Sequence, residues 1–249
     1  MHLASEQSGT APGEILRRFY ATLLESFGLQ EWWPARTRWE VVLGAILTQN
    51  TTWRNATLAL KNLRKAGFLA WRSFRQISLH ELEELIRPAG SYRQKAKTLR
   101  NFANWIEQAH GGSLDSLFSL GAARARAQLL ALKGIGVETA DVILLYSGRQ
   151  PVFVADAYTR RVLSRHQLFP PTADYHSAQR FLHQHLPPDE ALFNELHALL
   201  VEAAKRFCHR SVAHCEECPL GKFLEKPTAG GRQLTVTTSC QPSAISEPV

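Results

Sequence analysis

Apolar residues recur in this chain at the spacing of an α-helix, and this pattern limits the fold more than any other feature. Two series show it clearly, namely Trp39, Val42, Leu43, Ile46 and Leu47, and Ala96, Leu99, Phe102, Ala103 and Ile106. The alternation with a period of two that is typical of β-strands is almost absent. The sequence therefore predicts an all-α fold of about ten helices between Glu14 and Phe223, with Trp39 as a core residue.

The two ends of the chain lack a periodic apolar face. Residues 1–13 and 226–249 are rich in Gly, Pro, Ser and Thr, and segments of this composition bury too little apolar surface to fold. We expect two flexible tails around one folded body, residues 14–225. A body of this length suits two helical lobes that flank a cleft.

Charge and hydropathy narrow the range of partners. The chain has 29 Lys+Arg against 22 Asp+Glu, a net charge of +7, which favours a polyanionic partner without establishing one. The longest uncharged apolar run, residues 41–47, is far shorter than the ~20 residues that span a bilayer. The first residues also lack the features of a signal peptide. We therefore expect no membrane association, a cytoplasmic location, and cysteines that are reduced thiols or metal ligands.

A glycine-containing turn separates two apolar helical stretches at about residues 125–147. Gly134 and Gly136 flank Ile135 in this predicted hairpin. Such glycines allow a tight turn with exposed amide groups, which suits a phosphate. A plain helical hairpin without a ligand explains these residues equally well.

A short apolar run, residues 151–155, leads from the hairpin to Asp156 and a basic helix. Taken alone, Asp156 is best explained as the N-cap of that helix. Together, however, LKGIGVETAD and VADAYTRRV resemble the helix-hairpin-helix DNA glycosylases, specifically their endonuclease III-like branch, over about residues 14–218. The resemblance implies two helical lobes with an interlobe active-site cleft, a hairpin that grips the DNA backbone through Gly134 and Gly136, and a flipped nucleotide.

The same resemblance makes Asp156 the candidate catalytic residue. Breaking an N-glycosidic bond builds positive charge on the deoxyribose, and a fixed anion stabilises that charge or aligns the attacking water. The cap and the catalytic role are compatible because a capping carboxylate has a fixed orientation.

Glu138 is a departure from the bifunctional members of the family. In those proteins a lysine two residues after the second glycine forms a Schiff base with the sugar, and glutamate cannot do so. The resemblance therefore predicts a glycosylase without lysine-dependent lyase activity. Lys133 is interpreted as a phosphate contact. Glu138 is either a first-turn acid favoured by the helix dipole or a second carboxylate in the base pocket.

Aromatic and amide side chains are concentrated in the segments EWWPA and LTQNTTW. With the hairpin, these segments resemble the small bacterial 3-methyladenine DNA glycosylases of the endonuclease III type. The narrower resemblance implies that Gln49 probes or fills the space left by the flipped nucleotide, and that Trp53 and Trp32 sandwich the base. Trp33 is a further candidate for the base pocket, with a core position as the alternative.

The segment PAGSYRQKA resembles the family loop that enters a DNA groove before a helix. Tyr92, Arg93 and Lys95 are the predicted contacts to the DNA backbone. A solvated basic face is the alternative explanation of these residues.

Cys208, Cys215 and Cys218 match the first three positions of the iron–sulfur loop, here residues 208–224, that many endonuclease III relatives carry. Leu224 stands where the fourth cysteine is expected, so the cofactor is in doubt. Three states of the loop remain open: a [4Fe–4S] cluster, a three-ligand or zinc site, and free thiols. The candidates for a missing ligand are Cys240, His209 and His214.

The remaining histidines, including His183, His185 and His197, have no second ligand at a convincing spacing, so we expect surface or core positions for them. Taken together, the resemblance implies a monomeric, monofunctional glycosylase of base excision repair that removes an alkylated purine such as 3-methyladenine from damaged double-stranded DNA. One alternative is an endonuclease III-type glycosylase and lyase for oxidised pyrimidines, against which Glu138 counts. The other is a non-catalytic DNA-binding protein, against which Asp156 counts.

Overall fold

The computed structural model describes residues 11–30, 32–33 and 35–224. These residues form twelve α-helices without a β-strand, and one isolated antiparallel bridge joins Cys208 to Ala213. The all-α prediction is confirmed. The helices are α1 (Pro12–Phe27), α2 (Arg38–Leu47), α3 (Trp53–Lys65), α4 (Trp71–Phe74), α5 (Leu79–Leu85), α6 (Tyr92–His110), α7 (Leu114–Phe118), α8 (Ala122–Leu130), α9 (Val137–Val142), α10 (Ala157–Arg165), α11 (Tyr175–His185) and α12 (Glu190–Arg206).

Shorter helical segments complete the described chain. Two of them are 3₁₀ turns, Arg87–Ala89 and Pro219–Phe223, and the third is a π-helical turn, Ile143–Ser147, that continues α9. None of the described helices has the length and apolarity needed to cross a membrane.

The predicted N-terminal tail, residues 1–13, extends two residues too far, into the first helix. Helix α1 begins at Pro12, because proline at a first helical position has the required φ and its missing N–H removes no helical hydrogen bond. Residues 1–10, and the whole predicted tail 226–249, lie outside the described residues.

The described helices group into two compact units. The first contains residues 11–30, 155–189 and 195–224, and the second contains residues 32–33, 35–154 and 190–194. The core of the second unit includes Trp39, which is 5% exposed; its predicted core position is confirmed. Fully buried side chains of the first unit include Leu16, Phe19, Leu163, Ala178, Leu199 and Leu200.

The predicted hairpin consists of α8, a turn at residues 131–136, and α9. A bidentate ion pair joins its two helices, with Arg126 Nε 2.6 Å from Asp141 Oδ1 and Arg126 Nη2 3.0 Å from Asp141 Oδ2. Asp141 is fully buried. A carboxylate removed from water in this way needs such a partner, so this pair fixes how the hairpin closes.

Candidate active site

Asp156 is the N-cap residue of α10, as the sequence predicts. Its Oδ1 accepts a hydrogen bond of 2.7 Å from the amide of Thr159. Its Oδ2 lies 3.5 Å from Nε2 of His197 on α12, and the Asp156 side chain is only 14% exposed. One carboxylate oxygen therefore accepts a hydrogen bond from the backbone, and the other lies within ion-pair distance of an imidazole nitrogen.

The surroundings of Asp156 favour its ionised form. Burial alone raises the pKa of a carboxyl group, but the hydrogen bond and charge of His197 and the hydrogen bonds from Thr159 outweigh it, so the pKa of Asp156 lies below its ordinary value. The sum of these effects is a buried carboxylate that stays negative. This is the electrostatic state that stabilisation of a positively charged sugar requires.

The turn of the hairpin depends on Gly134. Its φ is +94°, and an added Cβ would overlap the side chain of Thr98, with Cγ2 only 2.9 Å away. Gly136 differs, because its backbone is extended (φ −89°, ψ 176°) and an added Cβ would meet nothing within 4 Å. Ile135 between them is 5% exposed. Burial of Ile135 anchors the turn and leaves both glycines at the surface.

Three predicted site residues lie at or near this turn. The side-chain nitrogen Nε2 of Gln49 donates to the carbonyl of Gly134 and to Oγ1 of Thr139, both at 2.9 Å. Lys133 and Glu138 are exposed. Gln49 lies in the turn between α2 and α3, and these two hydrogen bonds hold its side chain against the hairpin. Its role towards a flipped nucleotide, like the roles of Lys133 and Glu138, remains a prediction.

Three aromatic side chains of the second unit form a group that we call the aromatic group: Trp33, Trp53 and Tyr146. The ring of Trp33 lies 5.0 Å from that of Trp53, edge to face, and 5.2 Å from that of Tyr146. All three are half-buried. Rings in this state retain apolar surface on which a planar base can stack.

The sequence placed Trp32, rather than Trp33, beside Trp53 in the base sandwich. In the structure, Trp33 contacts Trp53. The preceding residue, Trp32, is half-buried. Tyr146 was missed because the helical pattern around it is almost wholly apolar. The π-helical turn, which alters the regular helical phase there, leaves its ring half-buried.

Gly44 of α2 makes room for the aromatic group. An added Cβ on this glycine would lie 2.9 Å from Cζ2 of Trp33. A glycine within a helix is destabilising by roughly 1 kcal/mol relative to alanine. The structure gives the reason for its presence, since the indole of Trp33 packs directly on the helix backbone.

The prediction that Lys95 contacts the DNA backbone is wrong. Lys95 is 4% exposed, and its Nζ donates to the carbonyls of Leu47 (2.9 Å) and Ala89 (2.7 Å). These are the last residues of α2 and of a 3₁₀ turn, where carbonyl groups lack helical partners. Burial lowers the pKa of Lys95 to about 8. The ammonium thus serves to join two helix ends.

Tyr92 and Arg93 remain available as predicted contacts. Tyr92 is half-buried, with the guanidinium groups of Arg87 and Arg93 at 5.6 and 5.4 Å from its ring centre. Arg93 itself is exposed. Arg87 and Arg93 lie 3.4 and 4.0 Å from the carboxylates of Glu84 and Glu83, and a contact of this surface with DNA remains a prediction.

The three cysteines of the predicted iron–sulfur loop lie close enough for Cys208 and Cys215 to influence the thiol of Cys218 electrostatically. Burial raises the pKa of the Cys218 thiol, and the neighbouring Cys208 and Cys215 raise it further. Sγ of Cys208 lies 3.0 Å from Nη1 of Arg165. A guanidinium group therefore sits against one of the three sulfurs.

These residues do not fit a four-iron cluster. Such a cluster needs four ligands, and the fourth place is held by the hydrocarbon side chain of Leu224. Within the part of the chain that the structure describes, no three His, Cys, Asp or Glu side chains converge on a point that a metal ion could occupy.

Arginines of α10 hold the cysteine loop instead. Arg161 Nε donates to the carbonyl of Cys208 at 2.7 Å. Arg165 donates to the carbonyls of His209 (2.7 Å) and Arg210 (3.1 Å). The loop is thereby tied to the same helix that Asp156 caps.

With the fold and these contacts established, the family can be assigned. Residues 43–188 match the HhH-GPD superfamily of base excision DNA repair proteins, and the chain belongs to this superfamily. Its class is therefore that of the helix-hairpin-helix DNA glycosylases, and the sequence-based resemblance is confirmed.

Individual relatives agree with this assignment. The chain is 42% identical to MJ1434 of Methanocaldococcus jannaschii, whose name places it among DNA repair glycosylases, over 84% of this chain and 96% of the relative. It is 28% identical to endonuclease III of Sulfolobus acidocaldarius over 76% of this chain and 82% of the relative.

A solved structure extends the comparison to three dimensions. The 3-methyladenine DNA glycosylase of H. pylori, bound to 1,N6-ethenoadenine, is 28% identical and superposes with a TM-score of 0.68, covering 79% of this chain and 98% of that one. The helical fold is thus shared with a glycosylase whose name specifies an alkylated base.

Proposed function

We propose that this chain is a monofunctional DNA glycosylase that hydrolyses the N-glycosidic bond of an alkylated purine, 3-methyladenine first, in double-stranded DNA, on which it acts as a monomer. The observation that carries the proposal is the buried Asp156, whose Oδ1 accepts a hydrogen bond from Thr159 and whose Oδ2 lies 3.5 Å from Nε2 of His197. The activity is that of a hydrolase: water adds its hydroxyl to C1′ of the deoxyribose and gives up a proton to the solvent, and the cationic base leaves with the bonding electrons as a neutral molecule.

Asp156 acts on the sugar in this proposal. As the glycosidic bond lengthens, positive charge spreads over C1′ and the ring oxygen. A carboxylate already fixed in place needs no reorganisation to stabilise that charge. Nothing in this step requires a metal ion or a covalent enzyme intermediate.

The aromatic group supports an alkylated purine as the substrate. A methylated purine such as 3-methyladenine carries a positive charge, and an aromatic face attracts a cation by about 0.5–2 kcal/mol. Neutral adenine gains less from the same rings. The positive charge also makes the base a better leaving group, so strong acid catalysis of its departure is not needed.

Glu138 supports hydrolysis without a lyase step. It occupies the place of the imine-forming lysine, and a carboxylate forms no Schiff base. Incubation with abasic DNA and borohydride should therefore leave no covalent protein–DNA adduct. Lys133→Ala is the matched control, because an adduct that appears in the wild type and disappears in this variant would identify Lys133 as the nucleophile.

A panel of lesion-containing duplexes tests the substrate. We expect release of free 3-methyladenine from methylated DNA, with no release of thymine glycol or uracil. Trp53→Ala should strongly reduce excision, whereas Trp39→Ala, a change in the core, should mainly reduce stability. Efficient release of an oxidised pyrimidine without 3-methyladenine would favour the endonuclease III-type activity named for several relatives.

A further inference from the structure

His197 lies on a largely apolar face of α12. It is 4% exposed, and four neighbours on that face are at most 2% exposed, namely Phe193, Leu200, Val201 and Ala204, whereas Asn194 is half-buried. A polar side chain placed among such residues is destabilising unless it has a polar partner. Asp156 is that partner, with Nε2 of His197 at 3.5 Å from Oδ2.

The two oxygens of Asp156 are divided between two helices. Oδ1 faces the amide of Thr159 within α10, which any capping carboxylate would do. Oδ2 faces α12 through His197. The cap alone fixes one oxygen, so the direction in which the second oxygen points depends on the imidazole.

We propose that His197 is a positioning residue for Asp156, in that its Nε2–H donates to Oδ2 and holds the carboxylate in the orientation that base excision uses. This inference rests on the proposed catalytic role of Asp156. His197 itself touches neither the sugar nor the base in this account.

The electrostatics of the pair agree with the geometry. Among the described residues, the groups that lower the pKa of Asp156 are His197 from α12 and Thr159 from its own helix, and they outweigh the effect of burial. Without His197, less offsets the effect of burial, which raises the pKa of Asp156, so this pKa should rise. Activity that depends on the ionised carboxylate should then be lost at a higher pH.

The test is the single-turnover rate of base release, measured across pH on methylated duplex DNA for the wild type, His197→Leu and His197→Gln. The Leu variant should lose about tenfold to a hundredfold in rate. The Gln variant places an amide N–H near Nε2, so it should recover part of that rate. Both variants should show an acid limb moved to higher pH, because both lack the imidazole that lowers the pKa of Asp156.

His166→Gln is the matched control, because His166 is a half-buried histidine of the same unit and packs against Phe19 rather than Asp156. Its acid limb should match that of the wild type. Affinity for undamaged duplex should be unchanged in all variants, since His197 contacts no DNA in this account. If the Leu variant does not fold, the acid limb of the Gln variant alone tests whether His197 positions Asp156.

An acid limb that does not move in His197→Gln, or a wild-type rate in a folded His197→Leu, would overturn the inference. Asp156→Asn is measured beside them. If it keeps its rate, the proposed role of Asp156 is wrong. If it is inactive while the His197 variants behave as the wild type, only the role of His197 is wrong.

Discussion

Asp156 and Glu138 are both carboxylates at the start of a helix, but their surroundings differ. Asp156 caps α10 with a side chain that is 14% exposed; its Oδ1 accepts a hydrogen bond from Thr159, and its Oδ2 lies 3.5 Å from Nε2 of His197. Glu138 lies in the first turn of α9, exposed, behind a glycine cap that has no side chain. The helix dipole favours an acid at either place. Asp156 differs in being buried, and burial with its contacts to Thr159 and His197 makes it a preorganised anion.

The largest expected effect is that of Asp156→Asn. Asparagine caps a helix as well as aspartate does but has no charge, so base release should fall by about 10²–10³-fold or more, while folding and duplex binding remain. Asp174→Asn is the matched control, since Asp174 caps α11 through the amide of Ser177 at 2.7 Å but is exposed. Its activity should equal that of the wild type, and a similar loss in both variants would contradict the comparison.

The opposite end of α10 should also respond to pH. Burial lowers the pKa of His166, the C-cap residue, from 6.5 to about 4. Between these values the unfolded chain binds the proton and the folded chain does not, so stability falls as pH falls from about 6.5 toward 4, by up to about 3 kcal/mol. Denaturant unfolding at several pH values measures this, and His166→Gln should lose that part of the slope. An identical slope in both proteins would show that His166 does not cause it.

The start of α9 should depend on Gly134 far more than on Gly136. Gly134→Ala places a side chain at φ +94° and against Thr98, so stability should fall by about 1–3 kcal/mol. Gly136→Ala meets open space and should stay within about 0.5 kcal/mol of the wild type. Thermal or denaturant unfolding compares them, and equal losses would refute the assigned turn. If the hairpin holds phosphates, Gly134→Ala should also weaken binding to all duplex sequences alike.

The smallest expected effect is that of metal removal. Because Arg161 and Arg165 already hold the cysteine loop, a chelator should leave the midpoint of thermal unfolding unchanged. Anaerobically purified protein should be colourless, and Cys208→Ala should have the same visible spectrum. A brown protein with about four iron atoms per chain, bleached by Cys208→Ala, would show that a fourth ligand completes a cluster.

The sequence predicted correctly those features that depend on neighbouring residues alone. The 3.6-residue period predicted the all-α fold and the burial of Trp39, and the position of Asp156 after an apolar run predicted its cap. The prediction for Lys95 was wrong because it used the charge of the side chain and not its position in the helical repeat of α6. Lys95 lies four and seven residues before Leu99 and Phe102, on the buried face of α6, and that spacing was the available signal.

His197 and Tyr146 depend on contacts that sequence spacing does not contain. The partner of His197 lies 41 residues earlier in the chain, and only the packing of α12 against α10 brings the imidazole near Oδ2 of Asp156. Tyr146 meets Trp33 through a π-helical turn. A polar side chain in phase with Leu200 and Val201 was the one sign in the sequence that His197 is buried.

The glycine at position 44 allows the aromatic group to be moved by a substitution outside it. Trp33 rests on the backbone of α2 at this residue, so one added methyl group would displace an indole that meets Trp53 edge to face. A single-nucleotide change in a glycine codon encodes alanine. Natural selection can therefore shift the aromatic group without altering any of its three side chains.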